Sequence, residues 1–257
     1  MQLGGYGRRM ATRRTRSLVS WAAGSLVATS VLTSCGLPRF GAPDPASDEG
    51  SRIGHLWSGF FLAAVAVAAL VWILLGIVVI RYRRRPGDDD IPNQRPYNIP
   101  MEIAYTAVPV LIVAVLFFFS VRTQEEVTKV SARPAVRVEV IGFQWGWRFR
   151  YVGQGFTVDA EPGGQPELVL PVGAPSNLRL VAKDVDHSFW VPDFLSKRDL
   201  IPGVRNEITV TPNRAGTYVG RCAEFCGLDH WKMWFSVKVV PMSEFKAWLA
   251  DHKGTGS

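Results

Sequence analysis

Two stretches of this chain, 53–80 and 103–121, contain no Asp, Glu, Lys or Arg. A bilayer core takes about 20 consecutive apolar residues. A soluble helix of that length would carry a polar face, and neither stretch has one. The chain is therefore predicted to cross a membrane twice, with a helical hairpin over 53–122 and helices at about 53–80 and 101–121. Trp57 is placed to sit in an interfacial belt. Between the spans lie Arg81, Arg83, Arg84 and Arg85, then a polar, proline-rich loop over 86–100. Positive loops stay cytoplasmic, so the N-terminus and everything after Arg122 are predicted to be extracytoplasmic. A bacterial cell membrane and its lipid are the expected setting.

The first 34 residues hold Arg8, Arg9, Arg13, Arg14 and Arg16, no acid, and then a mildly apolar run with small residues. That is the form of a cleaved export signal. Leu32-Thr33-Ser34-Cys35-Gly36 resembles the lipobox of bacterial lipoproteins, which implies cleavage before Cys35 and lipidation of its thiol. The alternative is an uncleaved anchor with a chance cysteine. Residues 35–52 are rich in Pro, Gly, Asp and Ser and read as a flexible tether. The net charge of +7 comes from the leader and the arginine cluster. What remains is close to neutral and gives nucleic-acid binding no support, so no nucleic acid is expected as a partner.

From 123 to 257 the chain reads as a separate extracytoplasmic domain. Short alternating runs at 136–140, 177–182, 207–211, 217–220 and 234–240 have the period of half-buried strands. Turn signals separate them at 162–164, 171–173, 202–203 and 213–216. Strands at this spacing predict a sandwich or barrel, closed by a short helix at 245–249 capped from Ser243.

The chemistry is concentrated at 222–233, where Cys222, Cys226, His230 and Met233 fall within one loop after a strand. Soft sulfur ligands select copper, and imidazole suits it. His187 lies upstream between Asp186 and Ser188. Each part alone has a plainer reading. The two cysteines suit a disulfide in an oxidising compartment, and Cys/His ligands also make zinc sites. Met233 alone reads as core filler, and a lone His187 as a satisfied polar residue.

Taken together, this loop, with its two Cys, Glu224, His and Met, resembles the binuclear copper (CuA) loop of cytochrome c oxidase subunit II. The segment from His187 to Ile201-Pro202-Gly203-Val204-Arg205-Asn206 resembles that family's upstream ligand region. The likeness spans roughly 53–245 and implies an all-β cupredoxin-like domain, a Greek-key sandwich or barrel, after the transmembrane hairpin. It implies two copper ions bridged by Cys222 and Cys226, with His187 and His230 as terminal ligands and Met233 and the Glu224 carbonyl as weak ones. The Glu224 side chain is implied to reach a magnesium ion shared with subunit I. The implied function is to accept electrons from cytochrome c and pass them to haem in subunit I. Oxygen is reduced to water there, coupled to proton pumping. Subunits I and III and a cytochrome c, soluble or fused to a neighbouring complex, are the implied partners.

Phe143-Gln144-Trp145-Gly146-Trp147-Arg148 resembles the family's aromatic segment. Trp145 is implied to be where electrons arrive, while Trp147 reads as core packing. Gly146 departs from the pattern, since many relatives carry an aromatic there. Asp184 and Asp186, with Asp159 weaker, are the expected docking acids for the donor. Glu102, in a segment resembling E-x-x-W-T-x-x-P with Tyr105 in place of Trp, is implied to stand at the mouth of a proton path. Its plainer reading is a carboxylate favoured at a helix N-terminus. Three rivals fit less of the sequence. A quinol oxidase subunit lacks the sulfur ligands, a nitrous oxide reductase lacks the hairpin, and a copper carrier needs neither the Trp145 nor the Glu102 segment.

Overall fold

The computed structural model describes residues 39–87, 94, 96–159 and 165–253. The expected leader, Cys35 and the turn at 162–164 lie outside the described residues. The chain divides into Met1–Ala42 and Pro43–Ser257. In the first unit, 39–42 form a turn in which the Ala42 amide bonds the Arg39 carbonyl at 3.0 Å. All elements described below belong to the second.

Helix α1 (Asp48–Arg81) is 34 residues long and helix α2 (Ile99–Thr128) is 30. Ser47 caps α1 by accepting from the Gly50 amide, with Asp48 and Glu49 in the first turn complementing the dipole. Asn98 caps α2 by accepting from the Met101 amide at 3.3 Å. Both helices are long and apolar enough to cross a membrane, and nothing in their apolar windows is buried within the chain. Pro109 lies inside α2, a position that helices in membranes tolerate.

The helices overrun the apolar stretches at one end. The flexible tether expected over 35–52 is corrected from Ala46 onward, since α1 starts at Asp48 and Ala46 and Ser47 are fully buried, while 35–38 lie outside the described residues. The reason is long-range pairing that composition does not announce, taken up below. The expected end of the hairpin at 122 is corrected too, because α2 runs on to Thr128. Arg122, Gln124, Glu125 and Glu126 are good helix formers and extend the helix beyond its apolar stretch. An ion pair between Arg52 and Glu126 joins the two helices at this end.

The β domain is two five-stranded sheets. The first has the order β3 (Phe156–Asp159), β2 (Gly146–Tyr151), β1 (Val136–Phe143), β5 (Ser176–Ala182), β8 (Asn206–Val210). The second has the order β4 (Glu167–Pro171), β10 (Trp234–Val240), β9 (Gly216–Cys222), β6 (His187–Val191), β7 (Ser196–Leu200). The pairs β1–β5 and β4–β10 are parallel and the rest antiparallel. Helix α3 (Met242–Lys253) closes the domain, with Trp248 against Tyr151 and Phe156.

Core residues from both sheets meet on Phe235, which stacks on Phe189 at 4.9 Å and touches Trp147 and Phe149 edge-on. Gly220 lies opposite Phe235 in the β9–β10 ladder. A Cβ there would fall 2.0 Å from the ring, so only glycine lets the ring lie flat. Trp147 is buried, as expected of a core residue, with its indole N–H donating to the Met233 carbonyl at 3.3 Å.

Candidate metal centre

Strand pairing assembles the site. Strand β9 ends at Cys222, and β10 begins just after Met233. The Cys222 amide bonds the Met233 carbonyl at 3.0 Å, closing the loop at its neck. A short 3-10 helix (His230–Lys232) lies within that loop. Beside it, β6 pairs with β9 at Phe189↔Cys222, and the Ala223 amide donates to the Ser188 carbonyl at 3.1 Å. That register sets His187 against the loop from a distant part of the chain.

The donors fall into two lobes. In one, Cys222 Sγ is 3.9 Å from His187 Nδ1 and 3.2 Å from the Glu224 carbonyl oxygen. In the other, Cys226 Sγ is 3.4 Å from His230 Nδ1 and 3.3 Å from Met233 Sδ. The two sulfurs stand 4.0 Å apart, about twice a disulfide bond length of ~2.05 Å, and both cysteines are free. The donor atoms of His187, Cys222 and Cys226 lie within 4.8 Å of one another. His187 and Met233 are buried. Two thiols, two imidazoles and a thioether converging at the end of a rigid sandwich suit soft metal ions, and copper above others.

Electrostatics fix the two thiols differently. Burial pushes the Cys222 thiol up, but hydrogen bonds from His187 and at the Ser188 and Glu224 backbone outweigh it and bring it down to about 7. Burial and the adjacent Cys222 push Cys226 up to about 12. Without metal, Cys222 is therefore the thiol that ionises first, and Cys226 keeps its proton at neutral pH. His187 is raised above the ordinary imidazole value: burial alone would lower it, and the bonds to Cys222 and Asp184 prevail.

Asp184 has an inward task. Its Oδ1 is 2.9 Å from His187 Nε2, and its carboxylate accepts from the Gln144 and Val185 amides at 2.7 Å each. Burial opposes the charge, yet these bonds hold the carboxyl below its usual range. A carboxylate on Nε2 fixes the tautomer that leaves Nδ1 facing Cys222. Asp186 is exposed, and Asp159 pairs with Arg148.

Trp145 lies at the surface, 38% exposed, with its indole N–H donating to the Cys226 carbonyl at 3.1 Å. Gln144 Nε2 donates to the same oxygen at 2.8 Å. Gly227, at φ +116, makes room: a Cβ there would lie 3.1 Å from Gln144 Nε2. Sequence reasoning missed Gln144 and Gly227, which carry no chemical signature of their own. It also missed the exposed apolar rim of Phe225, Leu228 and Trp231 on the ligand loop, a surface suited to contact with another protein. Glu224 is exposed. Glu102 lies at the start of α2, where its carboxylate accepts from the Asn98 amide at 3.0 Å, completing a reciprocal cap.

A two-sheet sandwich with a buried soft-donor site at one end, borne on two apolar helices, defines a membrane-anchored cupredoxin-like metalloprotein. Residues 164–240 match the family described as "Cytochrome C oxidase subunit II, periplasmic domain", and residues 38–123 match "Cytochrome C oxidase subunit II, transmembrane domain". The chain belongs to the cytochrome c oxidase subunit II family. It is 38% identical to the probable cytochrome c oxidase subunit 2 of Streptomyces avermitilis, over 93% of this chain and 87% of that one. It is 31% identical to cytochrome c oxidase subunit 2 of Mycobacterium tuberculosis, over 81% and 74%. Among solved structures, the periplasmic domain of subunit II of cytochrome oxidase of Bradyrhizobium japonicum is 30% identical, with a TM-score of 0.45 over 49% of this chain and 98% of that one.

Proposed function

We propose that this chain works as subunit II of a cytochrome c oxidase, taking electrons from a cytochrome c and delivering them to haem in subunit I. The oxidase is an oxidoreductase and proton pump, and its oxygen chemistry lies on subunit I. The observation that carries the reading is the two-lobed donor set, with each thiol accompanied by its own imidazole. Cys222 and Cys226 would hold copper, which when bound would supply a one-electron carrier. His187 and His230 would be the terminal ligands, with Met233 and the Glu224 carbonyl completing the lobes.

The chain's own groups then do three things. The hydrogen bonds of Asp184, Gln144 and Trp145 hold His187 and the Cys226 backbone in place, so little reorganises when the charge changes. The Trp145 indole offers an electron a short path from the surface to the Cys226 carbonyl. The two sheets exclude water from His187 and Met233.

Finer roles follow from the family likeness. The Glu224 side chain would hold a magnesium ion with subunit I. Glu102, on the cytoplasmic side, would gather protons at a path into subunit I as well as capping its helix. Asp186 would steer the donor, and Asp184 would do so besides orienting His187. The rim of Phe225, Leu228 and Trp231 would rest on a partner protein. In this reading residues 1–34 are a leader, Cys35 carries lipid in a bacterial membrane, and the N-terminus and copper domain face outward. Subunit III completes the complex.

Stopped-flow mixing of the purified oxidase with reduced cytochrome c tests the reading. Trp145→Ala is expected to slow reduction of the copper centre by orders of magnitude, while the remaining Gln144 bond to the Cys226 carbonyl keeps the copper spectrum close to that of the wild type. An unchanged rate would contradict it.

A further inference from the structure

The segment just before α1 is built into the β domain. The Ala46 amide donates to the Asp193 carbonyl at 2.7 Å, the Asp48 amide to the Thr211 carbonyl at 2.9 Å, and the Asn213 amide to the Ala46 carbonyl at 3.0 Å. Ser47 and Pro212 form an antiparallel bridge. The Glu49 carboxylate receives both the Thr211 amide and the Thr211 hydroxyl, each at 2.9 Å. Ser47 Oγ donates to the Phe194 carbonyl at 3.2 Å while accepting from Gly50. At Gly50 the approach is so close that a Cβ would fall 2.5 Å from the Phe194 oxygen. Arg214 pairs with Asp44 at the outer edge.

A second attachment follows α2. The Ser131 amide donates to Thr209 Oγ1 at 2.8 Å, and Asn177 Nδ2 donates to the Ser131 carbonyl at 3.0 Å. Both ends of the hairpin therefore reach β8 and the residue after it, Thr211. One attachment would leave the domain free to pivot about it, and two fix a direction. The first also grips Phe194, at the far end of the β6–β7 hairpin whose near end carries His187 opposite Leu200.

We propose that Ser47, Glu49 and Gly50 form a positioning latch that holds the metal-bearing domain at one orientation over the membrane helices, so that the onward electron step keeps a fixed geometry. This rests on the electron-relay reading above. Glu49 and its neighbours touch no metal ligand, so they are positioning residues. Their loss is expected to alter the step that leaves the site and to spare the step that reaches it.

The test uses the assembled oxidase, following the copper and haem signals separately after mixing with reduced cytochrome c. Glu49→Ala is expected to leave the copper spectrum and the rate of copper reduction unchanged and to slow haem reduction by up to about a hundredfold, the loss that a misplacement near 1 Å can cause. Glu49→Gln keeps an oxygen for one of the two Thr211 bonds and is expected to slow it less. An unchanged haem step in Glu49→Ala overturns the latch, as does a haem step that slows together with a disturbed copper spectrum. Should wild-type oxidase itself pass no electron from copper to haem, the relay reading fails instead. Hydrogen exchange on the wild-type complex tests the latch without any variant. The amides of Ala46, Asp48, Thr211 and Asn213 are expected to exchange as slowly as those of β8, and exchange at the rate of an open chain overturns it.

Discussion

The β domain and the membrane hairpin solve opposite problems. In the domain, Phe149, Leu168, Leu170, Phe235 and Val237 are buried by the chain's own residues. In the hairpin, nothing in the apolar windows is buried, so its apolar surface is left for lipid and neighbouring subunits to cover. The domain thus specifies its own geometry, which a metal site requires. The hairpin specifies only length and direction. The difference predicts where substitutions hurt.

The largest effect is expected at the thiols. Cys226→Ser removes the sulfur that meets His230 and Met233, and is expected to abolish the two-metal site and electron uptake together, as read by metal analysis and turnover. Next is the core. Gly220→Ala forces a Cβ into the Phe235 ring and is expected to cost about 3 kcal/mol, lowering the domain's Tm. In the hairpin, Gly76 has open space around its missing Cβ, so Gly76→Ala is expected to be neutral or to favour the helix by up to about 1 kcal/mol. Equal losses at the two glycines would break the comparison.

Asp184→Asn weakens the hold on His187 Nε2 and is expected to reduce copper affinity about 10- to 100-fold, measured by competition with a chelator. The smallest effect concerns protons. The metal needs both sulfurs as thiolates. Below pH 7, where Cys222 regains its proton, loading must displace one from each thiol. At pH 8 it displaces one from Cys226 alone, given values of about 7 and about 12. Copper affinity is expected to fall as pH drops, with more protons released per site, read by titration in weakly buffered solution.

What the sequence disclosed follows the same divide. The apolar stretches needed no partner to be recognised. Strand β10 was legible in the sequence, because Trp234 to Val239 alternates between half-buried and buried positions. Strand β6 was not, since His187, Ser188 and Phe189 are all buried and the alternation vanishes. Edge strand β7, Ser196–Leu200, carries Lys197, Arg198 and Asp199 and resembles a loop. The loop ligands were visible as a spacing, whereas Asp184 and Gln144 support the site through contacts that only the folded register creates. The Ser47–Gly50 latch was hidden for the same reason: Ser, Asp, Glu and Gly read as slack chain until Thr211 and Phe194 are brought to them.

The proposed function stands on Cys222 and Cys226 together holding two metal ions that share one electron. Electron paramagnetic resonance of the copper-loaded protein tests it most directly. The account predicts hyperfine splitting of one unpaired electron by two equivalent copper nuclei. Splitting by a single copper nucleus, or a site that takes up zinc in preference, would contradict it.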